Sequence, residues 1–262
     1  MRDLFWKFFP ILFGLVLGYL LFNPPVWFRE LGFAGNLLFG GVVLFLFLGV
    51  VMAVTIPGSL PSDLQVTPAP NAADHEQMRV LAEELKGAGF TEIEPPMALG
   101  LRPPAVMIGL VNEPEQCYAT IFRTGTAPAK IAFDCVSILE GDRGGLTSSA
   151  ERGAGALVAG TGEFRQIFPK AAVSEVFRQH REAQNWLRER GLPSRRVEES
   201  MLVADLKYAI RHQRGTFLSN PVINGMITIV RAVTGRNPHL GPLAEQSIVE
   251  SQLRRVIEGR IG

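Results

Sequence analysis

The side chains best suited to chemistry are four histidines, His75, His180, His212 and His239, and two cysteines, Cys117 and Cys135. A hydrolytic centre needs a histidine base beside a nucleophile and an orienting carboxylate. His180 with Ser137 or Cys135 and with Asp134 is the set that tertiary folding could assemble. No local motif carries it: the chain has no Gly-x-Ser-x-Gly elbow and no His-Glu-x-x-His. His75-Glu76 falls at a helix start, where the helix dipole favours a glutamate in any case. His180 lies at the edge of an apolar helix face, beside Phe177 and Ala183, and reads as a packed or capped histidine. The cysteines belong to no CxxC and to no Cys/His spacing suited to zinc. No catalytic, cofactor-binding or metal-ligating residue is therefore assigned, and no cofactor is expected.

Glycines from Gly153 to Gly162 invite a phosphate-loop reading, because glycine lets backbone N–H groups close on a phosphate. Gly155 and Gly160 match the two glycines of a P-loop, but Thr161-Gly162 stands where Lys-Ser/Thr is needed. Gly153-Ala154-Gly155 acquires no third glycine at position 158, so the dinucleotide fingerprint fails as well. The stretch reads as a mobile surface loop.

Charge divides the chain more sharply than its net value of +1 implies. Residues 57–176 carry 9 Lys/Arg against 15 Asp/Glu, a net of −6, whereas residues 177–262 carry 14 against 8, a net of +6. A basic C-terminal part could face anionic lipid headgroups, nucleic acid, an acidic partner or the acidic half of its own fold. Arg188, Arg190, Arg195, Arg196, Arg211 and Arg214 alternate with Glu189, Glu198 and Glu199, and no DNA- or RNA-binding motif accompanies them. Nucleic acid is thus disfavoured as a partner.

The elements that must position these groups begin with two apolar runs, residues 4–22 and 37–56. Between them lie Asn23-Pro24-Pro25 and the pair Arg29-Glu30. About 20 apolar residues cross a hydrocarbon core of roughly 30 Å, so the runs predict a two-helix transmembrane hairpin over residues 1–56. Gly14 and Gly18, like Gly49 and Ala53, have a spacing that lets helices approach closely. Arg2 and Lys7 before the first run outnumber Arg29 in the loop, which by the positive-inside rule places the C-terminal domain in the cytoplasm.

Four prolines make residues 57–73 an extended linker. An amphipathic helix follows Asp74, with Met78, Leu81, Ala82, Leu85 and Ala88 on one face and Gly87 and Gly89 at its end. Residues 105–112, 117–123 and 130–139 read as three strands, and 146–150 as a shorter fourth. Symmetric closure of the first turn sets Leu110 opposite Ala119 and Ile108 opposite Ile121. Closure of the second about Thr126 sets Cys117 opposite Cys135, Ala119 opposite Phe133 and Ile121 opposite Ile131. One apolar face then runs across the strands, with a half-polar face (Tyr118, Thr120, Lys130, Asp134) behind it. Helices are predicted after Pro169 to about Arg190, stopped by Gly191, then over 198–213 and 243–260. Residues 217–233 fit a buried or interfacial helix better than a third span.

The resulting expectation is an α+β chain: hairpin (1–56), Pro-rich linker (57–73), α+β domain with a four-stranded antiparallel meander and flanking helices (74–192), and helical C-terminal part (193–262). The function that fits is a membrane-anchored interaction or scaffolding module without intrinsic catalysis. Its partners would be the lipid bilayer, anionic headgroups and a protein received on the half-polar sheet face or the basic helices. The alternative is a membrane-tethered enzyme of hydrolase type whose site follows no motif.

Overall fold

The computed structural model describes Tyr19, Glu30 and residues 32–69, 76–101, 103–124, 130–142, 144–150, 159–160, 162–234 and 237–258. His75 and most of the first apolar run lie outside them. In chain order the elements are α1 (Gly32–Ser59), β1 (Val66–Pro68), α2 (Glu76–Gly87), β2 (Thr91–Leu99), β3 (Ala105–Asn112), β4 (Cys117–Thr124), β5 (Lys130–Ile138), β6 (Gly145–Ser149), β7 (Glu163–Ile167), α3 (Val173–Glu189), α4 (Leu202–Ser219), α5 (Pro221–Thr234) and α6 (Val249–Glu258).

The seven strands form one mixed sheet in sequence order, antiparallel throughout except for the parallel pair β6–β7. The expected four-stranded meander is therefore not a sheet of its own. Val66–Pro68, read as linker, adds an edge strand, and β2 and β7 extend the sheet on either side. β2 breaks its ladder between Ile93 and Met97, at Glu94-Pro95-Pro96, because proline has no N–H to donate.

Both faces of the sheet are covered. Strand alternation sends Ile108, Leu110, Cys117, Ala119, Ile121, Phe133 and Cys135 to one side, where they pack with Met78, Ala82 and Leu85 of α2 and Val173, Val176 and Phe177 of α3. Tyr118, Met107, Ala105 and Val111 point the other way and pack with Val197 and Leu202. That second face was expected to be open to a partner. Instead Tyr118 is buried, its hydroxyl donating to the Glu198 carbonyl (3.0 Å) and lying 3.1 Å from Asp205 Oδ2. The start of α4 seats on Gly109, where a Cβ would come within 2.4 Å of Leu202. The half-polar strip was thus not solvent-facing but the floor beneath α4.

The β3–β4 register pairs Leu110 with Ala119 and Ile108 with Ile121. In β4–β5 the partners are Ala119 with Cys135, Ile121 with Phe133 and Arg123 with Ile131, two residues away from the expected pairing. The strand pairing is centred on position 127 rather than 126. A shift of two leaves every side chain on its own face, so Cys117 and Cys135 are both buried on the α2–α3 side, but as diagonal neighbours and as free thiols.

Helix ends follow their local chemistry. Gly191 (φ 74°) closes α3 as the left-handed residue of a Schellman motif: Leu192 N–H donates to the Leu187 carbonyl and Gly191 N–H to that of Arg188, both at 3.0 Å. Pro221 opens α5, where its missing N–H costs nothing, and Asn224 Nδ2 donates back to the carbonyls of Thr216 and Phe217 at the end of α4.

The second apolar run lies in α1. Among the described residues no helix is long and apolar enough to cross a membrane, which overturns the expected transmembrane hairpin and the membrane location and cytoplasmic placement derived from it. Part of the apolar character serves packing inside the chain: Val50, Ala53 and Ile56 are buried, and α1 crosses α5 at close range. A Cβ on Gly225 would lie 2.5 Å from the Gly49 carbonyl oxygen and 3.4 Å from Ala53 N. The small-residue spacing of Gly49 and Ala53 thus has its partner within the same chain, in the 217–233 stretch.

Candidate functional site

Three polar groupings occur where elements meet, and the first contains the histidine–serine pair that the sequence singles out. α3 directs His180 and, one turn later, Gln184 at the sheet, where β5 presents Ser137, β6 Ser148 and β7 Gln166. His180 Nε2 lies 2.8 Å from Ser137 Oγ and its Nδ1 2.7 Å from Ser148 Oγ. Gln184 Nε2 donates to Ser137 Oγ and Gln166 Nε2 to Ser148 Oγ, both at 2.7 Å. Ser137 has an acceptor for its own proton in the Gln116 carbonyl at 3.1 Å. Ser148 therefore donates to Nδ1, and Nε2 carries the imidazole proton and donates to Ser137. Every hydrogen-bonding position of the ring is taken.

This grouping is closed to chemistry. His180, Ser137 and Ser148 have no exposed surface, and burial drives the imidazole pKa down to about 3, so the ring is neutral across the physiological range. Asp134, the carboxylate that a triad would use, projects from the other face of β5, paired across the ladder with Thr120 and Ser149. Alternation along the strand separates it from Cys135 and Ser137. Burial also raises the pKa of both cysteine thiols, which removes them as nucleophiles.

The second grouping lines the opposite face, beneath α4. Glu163 and Arg165, two apart on β7, point the same way. Glu163 Oε2 accepts from Arg165 (2.7 Å) and from Gly160 N–H (2.9 Å), and His212 Nε2 lies 3.5 Å from Glu163 Oε1. Arg165 also donates to Gln213 Oε1. A Cβ on Gly160 would stand 2.7 Å from His212 Nε2 and 2.6 Å from Thr216 Oγ1, so a glycine is needed there for α4 to sit down. Gly160 and Gly162 are buried, so this end of the expected mobile surface loop is packed. Two open hollows of about 230 Å³ flank the Arg165–Gln213 contact. The carboxylate is satisfied by a guanidinium and a backbone N–H; the grouping fastens α4 to the sheet. Among the described residues no set of three His, Cys, Asp or Glu could hold a metal ion.

The third grouping, around Arg231, His239 and Arg255, joins α5, the turn before Leu240 and α6. Nothing in the sequence marks it, because its members are far apart and follow no spacing.

The arginines considered for an anionic surface are largely engaged within the chain. Arg195 pairs with Asp205, and Arg196 with Glu198 at 3.4 Å. Arg190 stacks on Trp186 at 3.7 Å, and Arg214 donates to the Leu60 carbonyl at 2.6 Å. Compared with protein-family models, with curated proteins and with solved structures, the chain matches none.

Proposed function

We propose that the chain is an interaction module that works by presenting surface rather than by catalysis. The observation that carries this reading is the outer face of α1. Leu37 (68% exposed), Leu38 and Leu44 (57%) stand in the open with Val42, Leu46, Leu48 and Val51, and Ile223 and Val230 of α5 add to them. An apolar surface of this extent marks a contact site. Leu37, Leu44 and Val51 recur every seven residues, as do Ile223 and Val230, the repeat by which one helix receives another. The closed state of the His180 grouping supports the same reading, since the base and the hydroxyls that an enzyme would use are spent on one another.

The test is a photo-crosslinking residue in place of Leu44 in the full chain, expressed in its native cells. The expected outcome is a discrete protein adduct absent from a control with the same residue at Val80, an exposed position on α2. Adducts to lipid alone would make the partner a lipid surface. Equal yields at the two positions would remove this face from the account.

A further inference from the structure

The outer side of α1 carries a seam with a regular repeat. Ala34, Leu37, Gly41, Leu44, Leu48 and Val51 all stand exposed, and their spacing alternates three and four residues, which gathers them on one stripe of the helix. Val43, Gly49 and Val50 are buried on the side turned to the rest of the chain. We propose that this seam receives the same seam of a second copy of the chain, the two helices running antiparallel about a two-fold axis with Leu44 of each copy seated at Gly41 of the other. The proposal names the partner of the α1 face, and so rests on that face being a contact surface.

Side-chain size sets the direction of pairing. Written as a heptad, Ala34, Gly41 and Leu48 hold the first apolar position, and Leu37, Leu44 and Val51 hold the second. Parallel helices set like against like, so Gly41 would meet Gly41 and Ala34 would meet Ala34, with a void at each of those layers. Antiparallel helices set the first position against the second. Leu44 then lies on Gly41, Val51 on Ala34 and Leu37 on Leu48, each pair made twice by the two-fold axis. No layer is left with two small residues, as even filling of the interface requires. A Cβ on Gly41 would meet nothing within 4 Å in its own chain, so the hollow there is open to a leucine from outside.

Charge points to a copy rather than to a helix of mixed charge. Coiled coils that select partners electrostatically place Glu and Lys on the flanks of the seam. Here the flanks are Leu38, Gly40, Phe45 and Phe47, and α1 has no charged residue from Gly32 to Ser59. A second copy brings no charge to be desolvated or left unpaired.

The extent of the face is what a reversible dimer needs. At ~1.5 Å per residue the stretch from Ala34 to Val51 is about 26 Å long. With its apolar flanks, two such faces bury on the order of 1,000 Å², the lower bound for a specific interface.

Sedimentation equilibrium of the full chain should show a 28.7 kDa monomer in exchange with its dimer. A Kd of about 1–100 µM is expected, raised at least tenfold by Leu44→Glu. Leu44 is exposed, so that variant should keep its fold, to be checked by circular dichroism. A short bis-maleimide reads the direction of pairing, since the native Cys117 and Cys135 are buried and leave the introduced thiols to react alone. Chains with Leu37→Cys mixed with chains with Leu48→Cys should crosslink to a dimer. Either variant by itself should not, because the two copies of residue 37 lie about 16 Å apart along the antiparallel pair. Crosslinking of a single variant with itself as readily as in the mixture, a chain still monomeric at about 0.5 mM, or a dimer indifferent to Leu44→Glu overturns the proposal. The photo-crosslinking residue at Leu44 separates this proposal from the reading beneath it. An adduct with a different protein or with lipid alone keeps α1 as a contact surface and overturns the second copy, whereas equal yields at Leu44 and Val80 remove both.

Discussion

Gly225 faces Gly49 so closely that a Cβ on the former would stand 2.5 Å from the carbonyl oxygen of the latter. Backbone cannot yield as a side chain can. Gly225→Ala should therefore separate α1 from α5 and cost about 1–3 kcal/mol, as overpacking does. Gly215, on α4, meets nothing within 4 Å. Gly215→Ala should instead stabilise by up to ~1 kcal/mol, through helix propensity alone. Paired denaturant melts of the two variants check the difference in sign.

Stability should fall as the medium is acidified from pH 6.5 towards 4. His180 and His239 have folded-state pKa values of about 3 and about 4, both below the ordinary value of 6.5. The unfolded chain therefore binds protons that the folded chain refuses. The stabilisation of the neutral forms is complete above pH 6.5 and is lost as pH falls toward the folded-state values. Two such protons give a slope of up to roughly 2.7 kcal/mol per pH unit between about pH 5.5 and 4.5. Melts from pH 7.5 to 4.5 measure it, and His239→Asn should remove about half. A flat profile would show that these rings titrate normally.

Ser148→Ala should cost more than the loss of one hydroxyl suggests. The hydroxyl donates to His180 Nδ1 and accepts from Gln166 Nε2; its removal strands the buried ring nitrogen at ~1–3 kcal/mol and takes one of two acceptors from Gln166 Nε2, which keeps the Gln179 carbonyl. The double variant Ser148→Ala/His180→Leu should recover part of the loss, which a double-mutant cycle by chemical denaturation would show.

Neither Cys117 nor Cys135 should react with a thiol reagent in the native chain, and both should react once it is unfolded, because both are buried and their thiols are held protonated. Since they sit diagonally rather than opposite each other, mild oxidation should leave both thiols free. Thiol counts before and after denaturant check each statement.

Which parts of this fold are legible in the sequence depends on whether local pattern and tertiary use coincide. The runs that became β3, β4 and β5 alternate or are uniformly apolar and are bounded by turn residues, so their register could be worked out to within two residues. β2 is hidden by Glu94-Pro95-Pro96, which argues against a strand. β7 is hidden because Glu163, Arg165 and Gln166 are spent on salt bridges and buried hydrogen bonds, so a half-buried strand looks polar. α1 misleads for the opposite reason. Its glycines and apolar residues match the pattern of a spanning helix, while the surface that receives them, Gly225 and Met226, lies 170 residues or more further on and leaves no local trace.

At the site, His180 and Ser137 could be paired from residue type alone, and Asp134 could have been removed from the set by counting along the strand. Ser148, Gln166 and Gln184 complete the grouping from three separate elements. Arg231, His239 and Arg255 meet only because the turn at 239–241 is bonded to β7, a long-range event with no spacing to betray it.

The two borders of the sheet carry a consequence for colloidal behaviour. β1 is only three residues long and ends in Pro68, which cannot donate to an incoming chain. At the far side, Ile167 of β7 is bridged to Leu240, its N–H given to the His239 carbonyl and its own carbonyl taken by Gly241 N–H. A neighbouring molecule therefore finds little free backbone on which to add a strand. Concentrated solutions of the folded chain should resist cross-β fibril growth and associate through side-chain contacts, reversibly and without a templating nucleus.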